Sequence, residues 1–173
     1  MLADIATVSQ VSGDVGQAAG VQHSDMQVVL FELAGKRYGV DVGQVQSVID
    51  MMEITSVPNA PYYVEGVTNL RGEILPVIDL RKKLNIEARE ANTHFNTIVV
   101  SRGGRAIGFA VDQVNVVMDL SGEAIDEVPS IASGVENDSI FGVAKQDDYL
   151  ILLIDLFKVS GSLDEDVLNG SFA

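Results

Sequence analysis

Gly39-Val40-Asp41-Val42-Gly43-Gln44-Val45-Gln46-Ser47-Val48-Ile49-Asp50 returns 69 residues later as Gly108-Phe109-Ala110-Val111-Asp112-Gln113-Val114-Asn115-Val116-Val117-Met118-Asp119, with six of twelve positions identical and no gap. A second block repeats as well. Gly66-Val67 through Ile74-Leu75-Pro76-Val77-Ile78-Asp79-Leu80 matches Gly142-Val143 through Leu150-Ile151-Leu152-Leu153-Ile154-Asp155-Leu156, now at an offset of 76. The second copy therefore carries extra loop between its blocks. Two copies are too few for a stacked solenoid, so the pattern implies paired sub-barrels or lobes. Residues common to both copies encode the shared fold; residues found in one copy only are candidates for a specific task.

Working outward, the segments between these blocks are short strand-like runs divided by turns. Gln27-Val28-Val29-Leu30-Phe31-Glu32-Leu33 stops at Ala34-Gly35-Lys36 and resumes as Arg37-Tyr38-Gly39-Val40-Asp41-Val42, which is a hairpin. The second copy repeats it from Thr97 to Val111 around Gly103-Gly104, a tip whose glycines tolerate positive φ. The apolar segment holding Val45, Val48 and Ile49 fits one helical turn or a strand equally well. Thr68-Asn69-Leu70, then Arg71-Gly72, then Glu73 to Asp79 forms a further hairpin. Pro76 inside that run implies an edge strand or a bulge, because it has no N–H to donate; Leu152 in the other copy can pair normally. Asp79 and Asp155 are placed to cap short helices beginning at Leu80 and Leu156. The spacing predicts an all-β protein of two small barrels.

Residues 1–25 lack a sustained period and read as a flexible leader; 161–173 read as an acidic tail; 26–160 form the folded unit, its first copy about 26–90 and its second about 95–160. The chain's 173 residues, 47% of them apolar, suffice for one ordinary domain or two small lobes. The absence of cysteine excludes disulfides, thiolate metal sites and cysteine nucleophiles. A net charge of −14 argues against nucleic acid, and against anionic membrane surfaces. No apolar run approaches the roughly 20 residues needed to span a bilayer, and no signal peptide is evident, so no membrane insertion and a cytoplasmic location are expected. Positive charge is concentrated: Arg71, Arg81, Lys82, Lys83 and Arg89 supply five of the eleven basic residues, and a solvated face is the simplest reading of each.

Catalytic readings fail on chemistry. One Asp per copy resembles the dyad of aspartic proteases, but Asp79 precedes Leu80-Arg81 and Asp155 precedes Leu156-Phe157, too bulky for two carboxylates to share a proton. His23 and His94 have no partner at metal spacing, and neither supplies a base for a serine triad. Gly35-Lys36-Arg37 lacks the earlier glycine and following helix of a phosphate loop, and Asp147-Asp148 lacks the spaced ligands of a calcium loop. No metal and no cofactor is expected. Arg71-Gly72 is the sharper feature, because the equivalent tip is Asp147-Asp148 and the charge is reversed. A guanidinium on a rigid two-residue turn loses little entropy on pairing with a partner carboxylate. The alternative is an exposed turn residue serving solubility, with Gly72 there only for its φ.

Gly66-Val67-Thr68-Asn69-Leu70-Arg71-Gly72-Glu73-Ile74-Leu75-Pro76-Val77-Ile78-Asp79-Leu80 resembles the signature segment of the CheW family of chemotaxis coupling proteins. Tyr38 to Val42, Val45 to Val48, Val57-Pro58-Asn59-Ala60-Pro61 and Gly108 to Asp112 are similar to the family pattern in order and spacing, so the resemblance covers about residues 26–160. It implies a CheW-like fold of two small, intertwined five-stranded SH3-like β-barrel subdomains with short helical segments and a hydrophobic junction. It also implies a non-catalytic adaptor that links the cytoplasmic tips of transmembrane chemoreceptors to the regulatory domain of the histidine kinase CheA. By the same resemblance, Asn69, Leu70, Arg71 and Gly72 belong to the receptor-facing surface, while Val45, Gly66 and Val117 line a neighbouring groove. Ser47 stands at the receptor- or kinase-binding position where many members carry Glu, a departure from the pattern. The rival readings are a coupling protein of a related array controlling twitching motility or gene expression, a module that binds kinase but no receptor, and an enzyme with a carboxylate site at the barrel junction. The last requires clustered titratable groups with shifted pKa values where Val and Ile are expected.

Overall fold

The structure, a computed structural model, describes residues 24–50, 52–90, 93–128, 138–163 and 167. The leader read at 1–25 lies outside these residues except for its last two, as does most of the tail read at 161–173. Local sequence accounts for the hairpins. β1 (Met26–Leu33) turns through Ala34 and Gly35, with φ of 51° and 79°, into β2 (Lys36–Asp41). β6 (Asn96–Arg102) turns through Gly103 and Gly104, with φ of 62° and 78°, into β7 (Arg105–Val111). Paired left-handed residues give a turn whose twist matches the flanking strands. The ambiguous apolar segment resolves into both candidates, a 3-10 turn at Val42–Gln44 followed by strand β3 (Val45–Asp50). Its counterpart is β8 (Gln113–Leu120). The remaining strands are β4 (Val64–Leu70), β5 (Glu73–Asp79), β9 (Ile125–Asp126), β10 (Ile140–Gln146) and β11 (Tyr149–Ile154).

The strands form a five-stranded sheet, β3-β6-β7-β5-β4, and a six-stranded sheet, β8-β1-β2-β11-β10-β9. Each sheet takes its central hairpin from the other repeat. β6–β7 of the second copy lies between β3 and β5 of the first, and β1–β2 of the first lies between β8 and β11 of the second. In both sheets the central hairpin pairs parallel with the final strand of the opposite repeat, β7 with β5 and β2 with β11. The extra strand β9 also has a counterpart: it pairs with β10 at Val143, as Thr55 pairs with β4 at Val67.

Hairpin exchange explains the continuous apolar run of β1. Val29, Phe31 and Leu33 enter a core shared with Tyr38, Val40 and Ile154 of the same sheet and Ile78, Ile98, Val100, Ile107, Phe109 and Val111 of the other. Val28 and Leu30, on the opposite face, join a second cluster with Leu120, Ile125, Ala144, Ile151 and Leu153. A strand buried on both faces needs an apolar residue at nearly every position. At about 25 cal/mol per Å² of apolar surface, burying such side chains is the main force holding the sheets together. Leu163 and Val167, within the segment read as tail, are buried in the shared core.

Two short helices close the repeats, α1 (Leu80–Lys83) and α2 (Leu156–Gly161). Asp79 Oδ1 accepts from Arg81 N at 3.0 Å and Asp155 Oδ1 from Lys158 N at 3.2 Å, the capping roles expected of them. Pro76 corrects an expectation: β5 is an interior strand, between β7 and β4. Val67, opposite Pro76, spends its N–H and C=O on Thr55 at 2.9 and 2.8 Å. Pro76 therefore faces its missing donor toward β7, where the parallel ladder starts only at Val77. In the other sheet, where Leu152 replaces the proline, the parallel ladder starts two residues earlier at Ile151.

Candidate functional site

The β4–β5 hairpin is built around Arg71 and Gly72, at φ of 53° and 86°. Asn69 Oδ1 accepts the Gly72 N–H at 2.9 Å, so the side chain before the tip fixes the tip itself. Arg71 is exposed, and among the described residues its side chain enters no hydrogen bond or ion pair. Asp147 of the β10–β11 hairpin has a matching φ of 49°, so the first residues of the two tips share a backbone conformation and differ in charge. Leu70 is half-buried, and Ile74 beyond the turn is 69% exposed, so the same hairpin carries an exposed apolar side chain and an exposed guanidinium.

Val45 and Ser47 lie on β3 and Val117 on β8, each the outermost strand of its sheet. Both strands carry a bulge just after the equivalent residues Val45 and Val114. A bulge re-aims the side chains that follow it. On β8 it leaves Val116 and Val117 both facing solvent, 56% and 53% exposed, with Val48 of β3 42% exposed at the position matching Val117. Val45 packs instead against the shared core, and Ser47 is half-buried opposite Val99.

Gly66 is buried where β4 bulges, at φ of 152°, and a Cβ there would sit 2.2 Å from the Thr55 carbonyl oxygen. Its immediate partner is thus the chain crossing from β3 to β4. That crossing is fixed to β4 also by Thr68 Oγ1 donating to the Glu53 carbonyl at 2.7 Å.

The cluster of basic residues divides by environment. Arg81 makes a two-toothed pair with Asp112, its Nε at 2.8 Å from Oδ1 and its Nη2 on Oδ2. Asp112 Oδ2 also accepts from Ala34 N at 2.8 Å, tying α1 to the β1–β2 turn. Burial alone would raise the Asp112 carboxyl; the Arg81 and Ala34 donors and the nearby guanidinium charges outweigh it and hold it below the usual carboxylate range. The Arg81 guanidinium is raised in turn, chiefly by its bond to Asp112.

Arg89 is 7% exposed, stacked 4.6 Å above the Phe95 ring, with Nη2 3.0 Å from Glu65 Oε1 and Nη1 3.9 Å from Asp79 Oδ1. Burial pushes the Glu65 carboxyl up; Arg89 opposes that and Asp79 adds to it. Glu65 and Asp112 are thus held in structural ion pairs, and Asp79, 1% exposed and committed to capping, is closed to a substrate. Lys83 lies 4.5 Å above the Tyr63 ring. Arg71, Lys82 and Lys83 are left without an ion-pair partner among the described residues, which contain no group of three His, Cys, Asp or Glu able to hold a metal.

Sequence reasoning missed Asn96, the first residue of β6. It is buried, donates to Asp50 Oδ1 on β3 at 2.9 Å and accepts from Val114 N on β8 at 2.7 Å. The one signal available was its mismatch with the exposed Gln27 of the first copy.

A duplicated β-scaffold presenting a cationic turn and two bulged, valine-rich outer strands defines a binding protein. The model of the CheW-like domain matches residues 27–163, and the chain belongs to that family. It is 32% identical over 162 residues to the chemotaxis protein CheW of Klebsiella aerogenes, covering 93% of this chain and 92% of that one. Against the chemotaxis protein CheW of Bacillus subtilis it is 35% identical over 132 residues, 75% of this chain and 83% of the other. The crystal structure of the scaffolding protein TtCheW from Thermoanaerobacter tengcongensis superposes with a TM-score of 0.67 at 36% identity, covering 75% of this chain and 88% of that one. The all-β, two-sheet architecture with short helices and the adaptor role follow from this membership. No helix among the described residues is long and apolar enough to cross a membrane.

Proposed function

We propose that this protein couples the cytoplasmic tips of chemoreceptors to a CheA-type histidine kinase, without chemistry of its own, as a cytoplasmic component of receptor arrays. The supporting observation is the β4–β5 hairpin: a pre-formed turn holds Arg71, without a partner among the described residues, on the same hairpin as the exposed Ile74, while the equivalent turn of the other repeat is acidic. A rigid cation next to an apolar surface suits a helical tip docked in a groove, with valines for contact and charge for register. Val45, Ser47 and Gly66 support this surface from within, and Asn69, Leu70, Gly72 and Val117 frame it.

The test is retention of a chemoreceptor signalling-tip fragment and of the kinase regulatory domain in pull-down, followed by calorimetric titration. Arg71→Glu is expected to weaken receptor-tip binding about tenfold or more, since a reversed charge repels the carboxylate it had paired. The melting temperature should stay close to the parent's, because an exposed turn tolerates a change of charge. Unchanged affinity would remove Arg71 from the receptor surface; failure to bind either partner would remove the coupling role.

A further inference from the structure

We infer that Asn96 is a positioning residue that sets how strands β3 and β8, which carry the proposed contact residues Val45, Ser47 and Val117, sit relative to one another; this rests on the receptor-binding reading above. β3 and β8 belong to different sheets and share no ladder. The Asn96 carboxamide spans them. Its Nδ2 donates to Asp50 Oδ1 at the end of β3, and its Oδ1 accepts from the Val114 N–H near the start of β8.

The chemistry of both partners dictates the residue. A carboxylate can only accept and a backbone N–H can only donate, so the bridging side chain must offer one donor and one acceptor. Asp would set a second carboxylate against Asp50, and an aliphatic residue would leave the Val114 N–H unpaired. Val114 directly precedes the bulge that turns Val116 and Val117 outward, and Asp50 ends the strand carrying Val45, Ser47 and Val48. The bridge therefore acts beside the bulge that directs the exposed valines of β8 and two residues from the exposed Val48 of β3.

The neighbourhood reinforces this placement. His94 Nε2 lies 2.7 Å from the same Asp50 oxygen, and Phe95, between them in sequence, carries the buried Arg89 that reaches Glu65 on β4. Arg89, His94 and Asn96 thus touch all three strands that carry the proposed surface. The first repeat has no equivalent: Gln27 stands at the matching place on β1, exposed to solvent, so the device belongs to one copy only.

The experiment uses the full chain, titrated with a receptor signalling-tip fragment well below the unfolding transition, where a residue that only adds stability leaves affinity untouched. Asn96→Asp is expected to weaken binding about tenfold, a magnitude typical of coupled neighbours. Combining it with Asp50→Asn, which restores one donor and one acceptor across the gap, should recover most of the affinity and the protection of the Val114 amide from hydrogen exchange. Asp50→Ala is the variant safest for folding, because that carboxylate is 74% exposed, and it should weaken binding about threefold. Parental affinity in Asn96→Asp or Asp50→Ala, or loss that the exchanged pair does not recover, would overturn the inference. A parent protein that binds no receptor tip would instead overturn the coupling reading on which it rests.

Discussion

Gly66 and Gly72 stand six positions apart on one hairpin and carry positive φ for different reasons. At Gly72, with φ of 86°, no atom lies within 4 Å of where a Cβ would be; at Gly66 the Thr55 carbonyl is 2.2 Å away and Ile54 Cγ2 is 2.8 Å away. Gly72→Ala is therefore expected to cost about 1 kcal/mol, the strain of an alanine in a left-handed turn. Gly66→Ala should cost about 3 kcal/mol or more, because the crossing strand must separate from β4. Chemical denaturation of both variants measures the contrast, and equal costs would refute the packing account of Gly66. Gly66 was legible in sequence as a family position, but its reason was not, since Thr55 reaches it through the fold. Arg71 was legible in both respects, because a turn residue depends little on distant chain.

Among the elements, the junction after each central hairpin shows how one architecture is held by different chemistry in the two repeats. After β2, the amide of Gln44 donates to Asp155 Oδ1 and accepts from Leu156 N, each at 2.9 Å. After β7, the corresponding corner is fastened by the Arg81–Asp112 ion pair. The second fastening contains a carboxyl held below its usual range. Asp112 has a folded-state pKa depressed below its unfolded value, so its contribution is complete above the unfolded pKa and is lost as pH falls through the folded one. Stability is thus expected to decline below about pH 4 more steeply in the parent than in Asp112→Asn, which should be less stable near neutrality. Midpoints of urea unfolding between neutral pH and acid would check this; parallel profiles would show that Asp112 contributes nothing special. The sequence displayed a repeat here with Asp112 against Gly43, a visible difference without a visible partner. Arg81 looked like one member of a solvated basic face, and only the return of β7 beside β5 brings the two together.

Over the whole molecule, neither repeat contains a complete sheet. The first lends β1–β2 to the six-stranded sheet and receives β6–β7 in the five-stranded one. A polypeptide ending near residue 90 would present β1 with both apolar faces exposed and β3 without β6. Residues 24–90 alone are therefore expected to remain unfolded by circular dichroism and amide exchange, whereas co-expression with residues 93–173 should restore a folded heterodimer. Independent folding of the first fragment would refute mutual completion. The unbroken chain should unfold in a single cooperative transition, because the main core draws side chains from both sheets.

Periodicity, turn residues and internal duplication by themselves determined that this chain is all-β, where its hairpins turn, which aspartates cap helices, and that one turn carries a lone cation. Each of these depends on residues within a few positions of one another, so the linear order contains the physics. Tertiary structure alone decided that Pro76 lies in an interior strand, that Gly66 is pressed against Thr55, that Arg89 is buried, and that Asn96 bridges the two sheets. Those outcomes depend on which distant strand arrives alongside. The exchange of hairpins between repeats, driven by burial of apolar faces across both copies, settles that pairing.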